Sequence, residues 1–284
     1  MTIDQMRCDS HVHIVGPIDV YPQISERNYL ADIAPLDRLR SSGRARGITH
    51  FVVSQPSFYG IDNSALLDAL DALQGFGRGV AVLDQQNISA ADLRVFHERG
   101  IRGLRVNLYS PLVGKPLSSM DEQFNSTAEL AQRNGWHVEV IAPIETLASH
   151  SGIIQRSQVP VVIDHYGLYG NARPNSELGR SLLGLMHSSN VWMKLSAPYK
   201  CARGAVKPDG AWVSELLAVA PDRCVWGSDW PHPPTHDSQK GPDIKIPYQS
   251  FSYSELFDSF AEAVPSPSAL EAVMWDNPKR LYQF

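Results

Sequence analysis

Arg7-Cys8-Asp9-Ser10-His11-Val12-His13-Ile14 is the stretch on which the fold turns. Residues 7–14 read as a strand. Positions i and i+2 of a strand share a face, so His11 and His13 leave one rigid element together while Val12 points the other way, as a core residue would. Alone, His-x-His is a modest signal, because histidine is often partly buried for packing. A second stretch adds weight: Arg223-Cys224-Val225-Trp226-Gly227-Ser228-Asp229-Trp230-Pro231-His232-Pro233. Its apolar run ends in Gly-Ser-Asp, which places an acid at the mouth of a buried strand. Two such strand ends, far apart in sequence, point to a parallel barrel, where strand ends gather at one face.

The chain between them supports that reading. Further strands are expected at 48–54, 79–83, 101–107, 137–141, 159–164, 191–195 and 223–228. Helices are expected at 35–45, 62–73, 90–99, 121–134, 143–155, 176–187, 210–220, 252–263 and 268–275. The strands are short and apolar without alternation, as in a sheet covered on both faces. The expected fold is α/β, a distorted (β/α)8 barrel of the TIM type, in one domain over residues 1–284. The alternative is a doubly wound open sheet. That fold wants a glycine-rich phosphate turn after its first strand, where this chain reads Ile14-Val15-Gly16-Pro17.

Composition narrows the partners. The chain has 284 residues, a net charge of −5 and no basic block, which argues against nucleic acid. No apolar run is long enough to span a membrane, and Asp4 and Asp9 interrupt any leader-like start. Cys8, Cys201 and Cys224 show neither metal-knuckle nor disulfide spacing, and Cys8 and Cys224 read as buried thiols. A cytoplasmic protein is expected, with a homo-oligomer left open.

His11, His13, His165 and Asp229 all fall at the C-terminal ends of expected strands. Such a nitrogen and carboxylate set suits Zn²⁺ or another divalent ion. It equally suits a metal-free hydrolase in which Asp229 deprotonates water and the histidines polarise a carbonyl. The bland alternatives are that His165 bridges its loop and that Asp229 caps a helix. Asp164, next to His165, is expected to face away.

The sequence resembles the amidohydrolase-related (amidohydrolase 2) family, in its branch of 2-pyrone-4,6-dicarboxylate, sulfomuconolactone and sugar-acid lactonases. The resembling segments include Asp9-Ser10-His11-Val12-His13, Gly100-Ile101-Arg102-Gly103-Leu104-Arg105-Val106-Asn107, Val162-Ile163-Asp164-His165, Trp226-Gly227-Ser228-Asp229-Trp230-Pro231-His232-Pro233 and Asn277-Pro278-Lys279-Arg280-Leu281-Tyr282. The resemblance implies hydrolysis of a lactone ester at the mouth of a distorted barrel. It implies Asp229 as the base, with His11, His13 and His165 around the reacting carbonyl. In many members these four hold one divalent metal, zinc by preference here, although a metal-independent route also exists in the family. Arg105 matches an arginine that grips a substrate carboxylate, and Tyr29 and Ser57 match substrate-contacting positions.

Beside these, Lys200 or Arg203 is expected to share the acidic group, and His232 to orient Asp229 or touch substrate. The rings of Tyr59 and Tyr109, with Phe58, Tyr166 and Tyr169, are candidate walls for a planar lactone. Arg102, three positions before Arg105, is expected nearer the opposite end. The chain departs from the pyrone dicarboxylate pattern at Pro111, Pro234 and Phe58-Tyr59. The expected substrate is therefore a small anionic lactone with differently placed acidic groups, sulfonated ones included. A lactone isomerase or metal-dependent decarboxylase on the same barrel, and a non-enzymatic metabolite-binding barrel, are the alternatives.

Overall fold

The computed structural model describes residues 6–85, 87–109, 120–202, 204–235 and 241–284. Eight strands run in chain order around one sheet: β1 Cys8–Val12, β2 His50–Ser54, β3 Gly77–Ala81, β4 Ile101–Asn107, β5 His137–Ile141, β6 Val161–Ile163, β7 Val191–Ser196 and β8 Cys224–Gly227. Each pairs in parallel with the next.

The end of β8 returns to β1. The Asp229 N–H donates to the His11 carbonyl at 2.9 Å, and the His13 N–H to the Trp230 carbonyl at 2.7 Å. Gly227 makes the approach feasible, since a Cβ there would stand 2.6 Å from the Cβ of His11. The result is the expected distorted, nearly closed (β/α)8 barrel, and the open-sheet alternative falls. Asp9 ties the seam, accepting from the Ser228 hydroxyl at 2.6 Å, the Ser228 N–H at 2.9 Å and the Tyr253 hydroxyl at 2.7 Å.

Most elements fall where the sequence pattern puts them, with four main differences, the first being that the expected helix 268–275 runs as Pro267–Glu271, a π-helical turn Ala272–Asp276 and a helix Asn277–Tyr282. β3 begins two residues before the expected 79–83, because Phe51 of β2 pairs with Gly77, a residue without an apolar side chain to signal a strand. The expected helix 143–155 is two pieces, Ile144–Ser149 and Ser151–Gln155. The stretch between the expected strand 191–195 and the expected helix 210–220 contains a short helix, Pro198–Cys201, opened by a proline at its first position.

β1 is not a regular strand. Cys8 packs inside the barrel with Val52, Val80, Val162, Trp192 and Val225, a plug closed by Leu281 and Tyr282. Val12 packs in the outer layer between strands and helices. In an unbroken strand, positions 8 and 12 would share a face. The register irregularity between Asp9 and Val12 shifts the phase, so Cys8 below and both histidines above look into the lumen.

Candidate active site

The barrel interior carries two polar layers above its apolar plug. The lower layer is ionic. Glu139 on β5, Asp164 just past β6 and Lys194 on β7 are all fully buried. Lys194 forms an ion pair with Glu139, and its Nζ lies 2.9 Å from His11 Nδ1 and 3.4 Å from Asp164 Oδ1. Arg105 on β4 joins from the side, with Nη2 3.4 Å from Asp164, Nε 3.6 Å from Glu139 and Nη1 donating to the Gln55 carbonyl at 2.8 Å. Arg102 instead donates to the carbonyls of His97 and Ile101, away from this layer.

Asp164 corrects an expectation: it faces the lumen beside its neighbour His165. β6 stops at Ile163. Asp164 remains extended, whereas His165 takes a φ of 52°, so the usual alternation ends and both side chains enter the lumen. Ala197 after β7 (φ 47°) and Asp229 after β8 (φ 57°) turn in the same way. Left-handed backbone at non-glycine residues costs about 1–3 kcal/mol each and gathers where a site over-determines it.

The upper layer centres on Asp229, which is fully buried and caps none of the described helices. Its Oδ2 accepts from the Tyr199 hydroxyl at 2.5 Å and pairs with Lys200 Nζ at 2.5 Å. Its Oδ1 lies 3.3 Å from His13 Nε2 and 3.5 Å from His11 Nε2, without a well-formed hydrogen bond. His165 Nδ1 meets the Ser196 hydroxyl at 2.8 Å, and its Nε2 is 3.3 Å from Lys200 Nζ. His13 Nδ1 donates to the Ser54 carbonyl at 2.7 Å.

Charge follows from these contacts. Burial alone would raise the Asp229 carboxyl, but Lys200, the strongest opposing charge, holds it well below the usual carboxylate range. Burial, reinforced by Lys194, pushes His11 well below its ordinary value, and burial with Lys200 does the same for His165. An ionised acid thus faces two neutral imidazoles at neutral pH. An ammonium only donates, so Lys194 against His11 Nδ1 places the proton of that ring on Nε2, aimed at Asp229.

Above this layer opens a cavity lined by His13, Val15, Tyr29, Pro56, Ser57, Phe58, Arg105, Asn107, Ile141, Lys200, Pro231, Pro233, Pro234 and Tyr248. Four of the expected substrate contacts, Tyr29, Ser57, Arg105 and Lys200, are on its wall. Tyr59 and Tyr109 are not, and the Tyr59 hydroxyl accepts from the Gly16 N–H at 3.1 Å while its ring packs on Phe58. Tyr166 and Tyr169 also lie in the buried core rather than on the wall, with Tyr169 stacked on Trp212. His232 is buried, its ring 5.1 Å from that of Phe251 and pushed down to about 4 by burial, while its backbone N–H donates to the Asp229 carbonyl at 2.7 Å. Arg203 and Pro111 lie outside the described residues.

Sequence reasoning missed Glu139, Lys194 and Ser196. For Glu139 and Lys194 the available signal was a charged residue in the middle of an apolar strand, which is rare without a buried partner.

Among the described residues, two sets of donors could hold a divalent ion: His11, His165 and Asp229, and His11, Glu139 and Asp164, each with its atoms within 4.8 Å of one another. The residue types suit such an ion and Asp229 Oδ1 is a buried polar atom without a hydrogen-bond partner, but His11 Nε2 carries the ring proton in the tautomer set by Lys194. His13, expected among the ligands, belongs to neither set, although it comes close to Asp229. No described helix is long and apolar enough to cross a membrane.

The amidohydrolase family model matches residues 8–284. The 2-pyrone-4,6-dicarboxylate hydrolase of Comamonas testosteroni is 29% identical, covering 96% of this chain and 89% of its own length. The 4-sulfomuconolactone hydrolase of Rhizobium radiobacter is 27% identical with the same coverages, 96% and 89%. A Pseudomonas putida crystal structure, assigned by name as a 2-pyrone-4,6-dicarboxylic acid hydrolase, superposes with a TM-score of 0.78 at 27% identity, over 98% of each chain.

Proposed function

The chain belongs to the amidohydrolase family, and from that premise we propose that it hydrolyses the ester bond of a small anionic lactone. The observation that carries the reading is an ionised, buried Asp229 beneath a cavity whose wall presents Lys200 and Arg105 while the carboxylates they pair with, Asp229, Asp164 and Glu139, lie below it, with no aspartate or glutamate among the described wall residues. Such a wall favours an anion. The relatives named for pyrone dicarboxylate and sulfomuconolactone substrates supply the class. One barrel domain over 1–284 in a cytoplasmic protein belongs to the same reading, in keeping with three buried, unpaired thiols.

In this mechanism the lactone lies against Tyr29, Ser57 and Phe58, with its acidic group toward Arg105. Asp229 Oδ1, which lacks a hydrogen-bond donor, takes a proton from water as the water oxygen bonds to the carbonyl carbon. The Nε2–H of His11 and the ammonium of Lys200 stabilise charge developing on the carbonyl oxygen. The bond to the ring oxygen then breaks, and the proton held by Asp229 passes to that oxygen. A divalent ion, if His11, His165 and Asp229 held one in place of the Lys200 ammonium, would supply Lewis-acid polarisation of the same carbonyl.

The test is turnover of 2-pyrone-4,6-dicarboxylate and 4-sulfomuconolactone, followed by ultraviolet absorbance, for the wild type and Asp229→Asn. The wild type is expected to open at least one ring, and the variant to lose about 10³-fold in kcat with its fold retained. Equal rates in the two proteins would remove Asp229 from the chemistry. Binding without turnover of either compound would favour the metabolite-binding alternative.

A further inference from the structure

Each of the two donor sets that could take a divalent ion already contains a lysine ammonium. In the set of His11, His165 and Asp229, Lys200 Nζ is 2.5 Å from Asp229 Oδ2 and 3.3 Å from His165 Nε2. In the set of His11, Glu139 and Asp164, Lys194 Nζ pairs with Glu139, lies 2.9 Å from His11 Nδ1 and 3.4 Å from Asp164 Oδ1.

The lysines also decide which imidazole lone pairs are free. A metal ligand must present an unprotonated nitrogen. Lys194 can only donate, and at 2.9 Å it is nearer to His11 Nδ1 than Asp164 Oδ1 at 3.4 Å or Glu139 Oε1 at 3.6 Å, so His11 Nδ1 is the acceptor and its Nε2, the atom facing Asp229, carries the proton. Lys200 likewise takes the Nε2 lone pair of His165, whose Nδ1–H is left for the Ser196 hydroxyl at 2.8 Å. Ligation through either Nε2 would set two donors face to face or require the ammonium to leave. Lys200 also lines the cavity, so its charge is presented to whatever binds there.

We propose that Lys200 is the resident cation of this site, standing where a divalent ion would sit between Asp229 and His165, so that the Lys200–Asp229 pair and ion binding exclude one another. This rests on the lactonase reading for its catalytic meaning: the ammonium does the polarising that an ion would otherwise do. The exclusion itself is independent of any substrate.

The experiment is calorimetric titration of Zn²⁺ into chelator-treated wild type, Lys200→Met, Asp229→Asn and Lys200→Met/Asp229→Asn, with circular dichroism to check folding. Lys200→Gln replaces the first variant if Met at this position prevents folding. The wild type is expected to bind Zn²⁺ at this site at least about 100-fold more weakly than Lys200→Met, because an ion must displace a close ammonium. The gain should vanish in the double variant. One equivalent of Zn²⁺ bound by the wild type, with an affinity within about threefold of Lys200→Met and lost on Asp229→Asn alone, overturns the proposal. Calorimetry needs no lactone, so this outcome is separate from failure of the lactonase reading, which shows as absent turnover.

Discussion

Lys194 and Lys200 sit six residues apart and both hold carboxylates, yet they occupy different kinds of place. Lys194 is on β7, fully buried and ringed by Glu139, Asp164 and His11, with no side on the cavity. Lys200 is on the short helix that follows, pairs with Asp229 and forms part of the cavity wall. The first ammonium is spent inside the protein, where it sets the tautomer of a histidine. The second remains within reach of a ligand. A buried cation with all its partners is architecture, whereas a paired cation on a cavity wall can change partner when substrate or metal arrives.

The largest expected effect breaks the lower layer. Lys194→Met should cost about 3–5 kcal/mol of folding free energy, read from urea midpoints, because it removes the nearest cation from buried Glu139 and Asp164 and leaves them Arg105 at 3.6 and 3.4 Å. Adding Glu139→Gln should recover part of that loss. Lys200→Met should cost less than half as much, since Asp229 keeps the Tyr199 hydroxyl and the adjoining cavity admits water. Equal losses would erase the distinction between the two lysines.

Acid provides the next test of how closed the lower interior is. His137 is buried in the strand beside that layer, and burial lowers it from 6.5 to about 4. A histidine depressed in the folded state contributes stability that is complete above pH 6.5 and is lost as pH falls toward 4. The loss from this residue amounts to about 3 kcal/mol. His137→Phe should flatten the fall of the thermal midpoint across that window, and an unchanged slope would show that the ring is accessible.

Arg105 bridges the two environments, touching Asp164 and Glu139 while lining the cavity. Arg105→Met should raise KM for an anionic lactone by about 10–100-fold with a smaller effect on kcat, as for binding shared by ground and transition states. A fall in kcat alone would move the guanidinium to the reacting centre. The smallest effect belongs to Tyr59. Removing its hydroxyl with Tyr59→Phe should cost about 1 kcal/mol of stability through the lost Gly16 contact and leave KM unchanged.

The barrel was legible because its signals are local. Apolar runs of strand length alternate with helical segments, and the polar residues that end β1 and β8 are visible as interruptions. His11, His165 and Asp229 were expected at strand ends for that reason, and the structure brings them together. Asp164 was misread because strand alternation was carried one residue past β6, into a turn whose left-handed backbone at His165 ends it. Glu139 and Lys194 were visible as charges within apolar strands. Their partner could not be read, since one lies on β5, the other on β7, and their contact crosses the lumen.

What the sequence alone determined is the number and order of the strands and which polar groups stand at their mouths, because burial periodicity and its breaks depend on near neighbours in the chain. What only the tertiary structure decided is who pairs with whom: Lys200 with Asp229, Lys194 with Glu139 and His11, Arg105 with Asp164. Those pairs join residues 29 to 183 positions apart, and barrel curvature and the left-handed turns after β6, β7 and β8 set their distances. Electrostatic energy depends on separation in space, which no local pattern encodes.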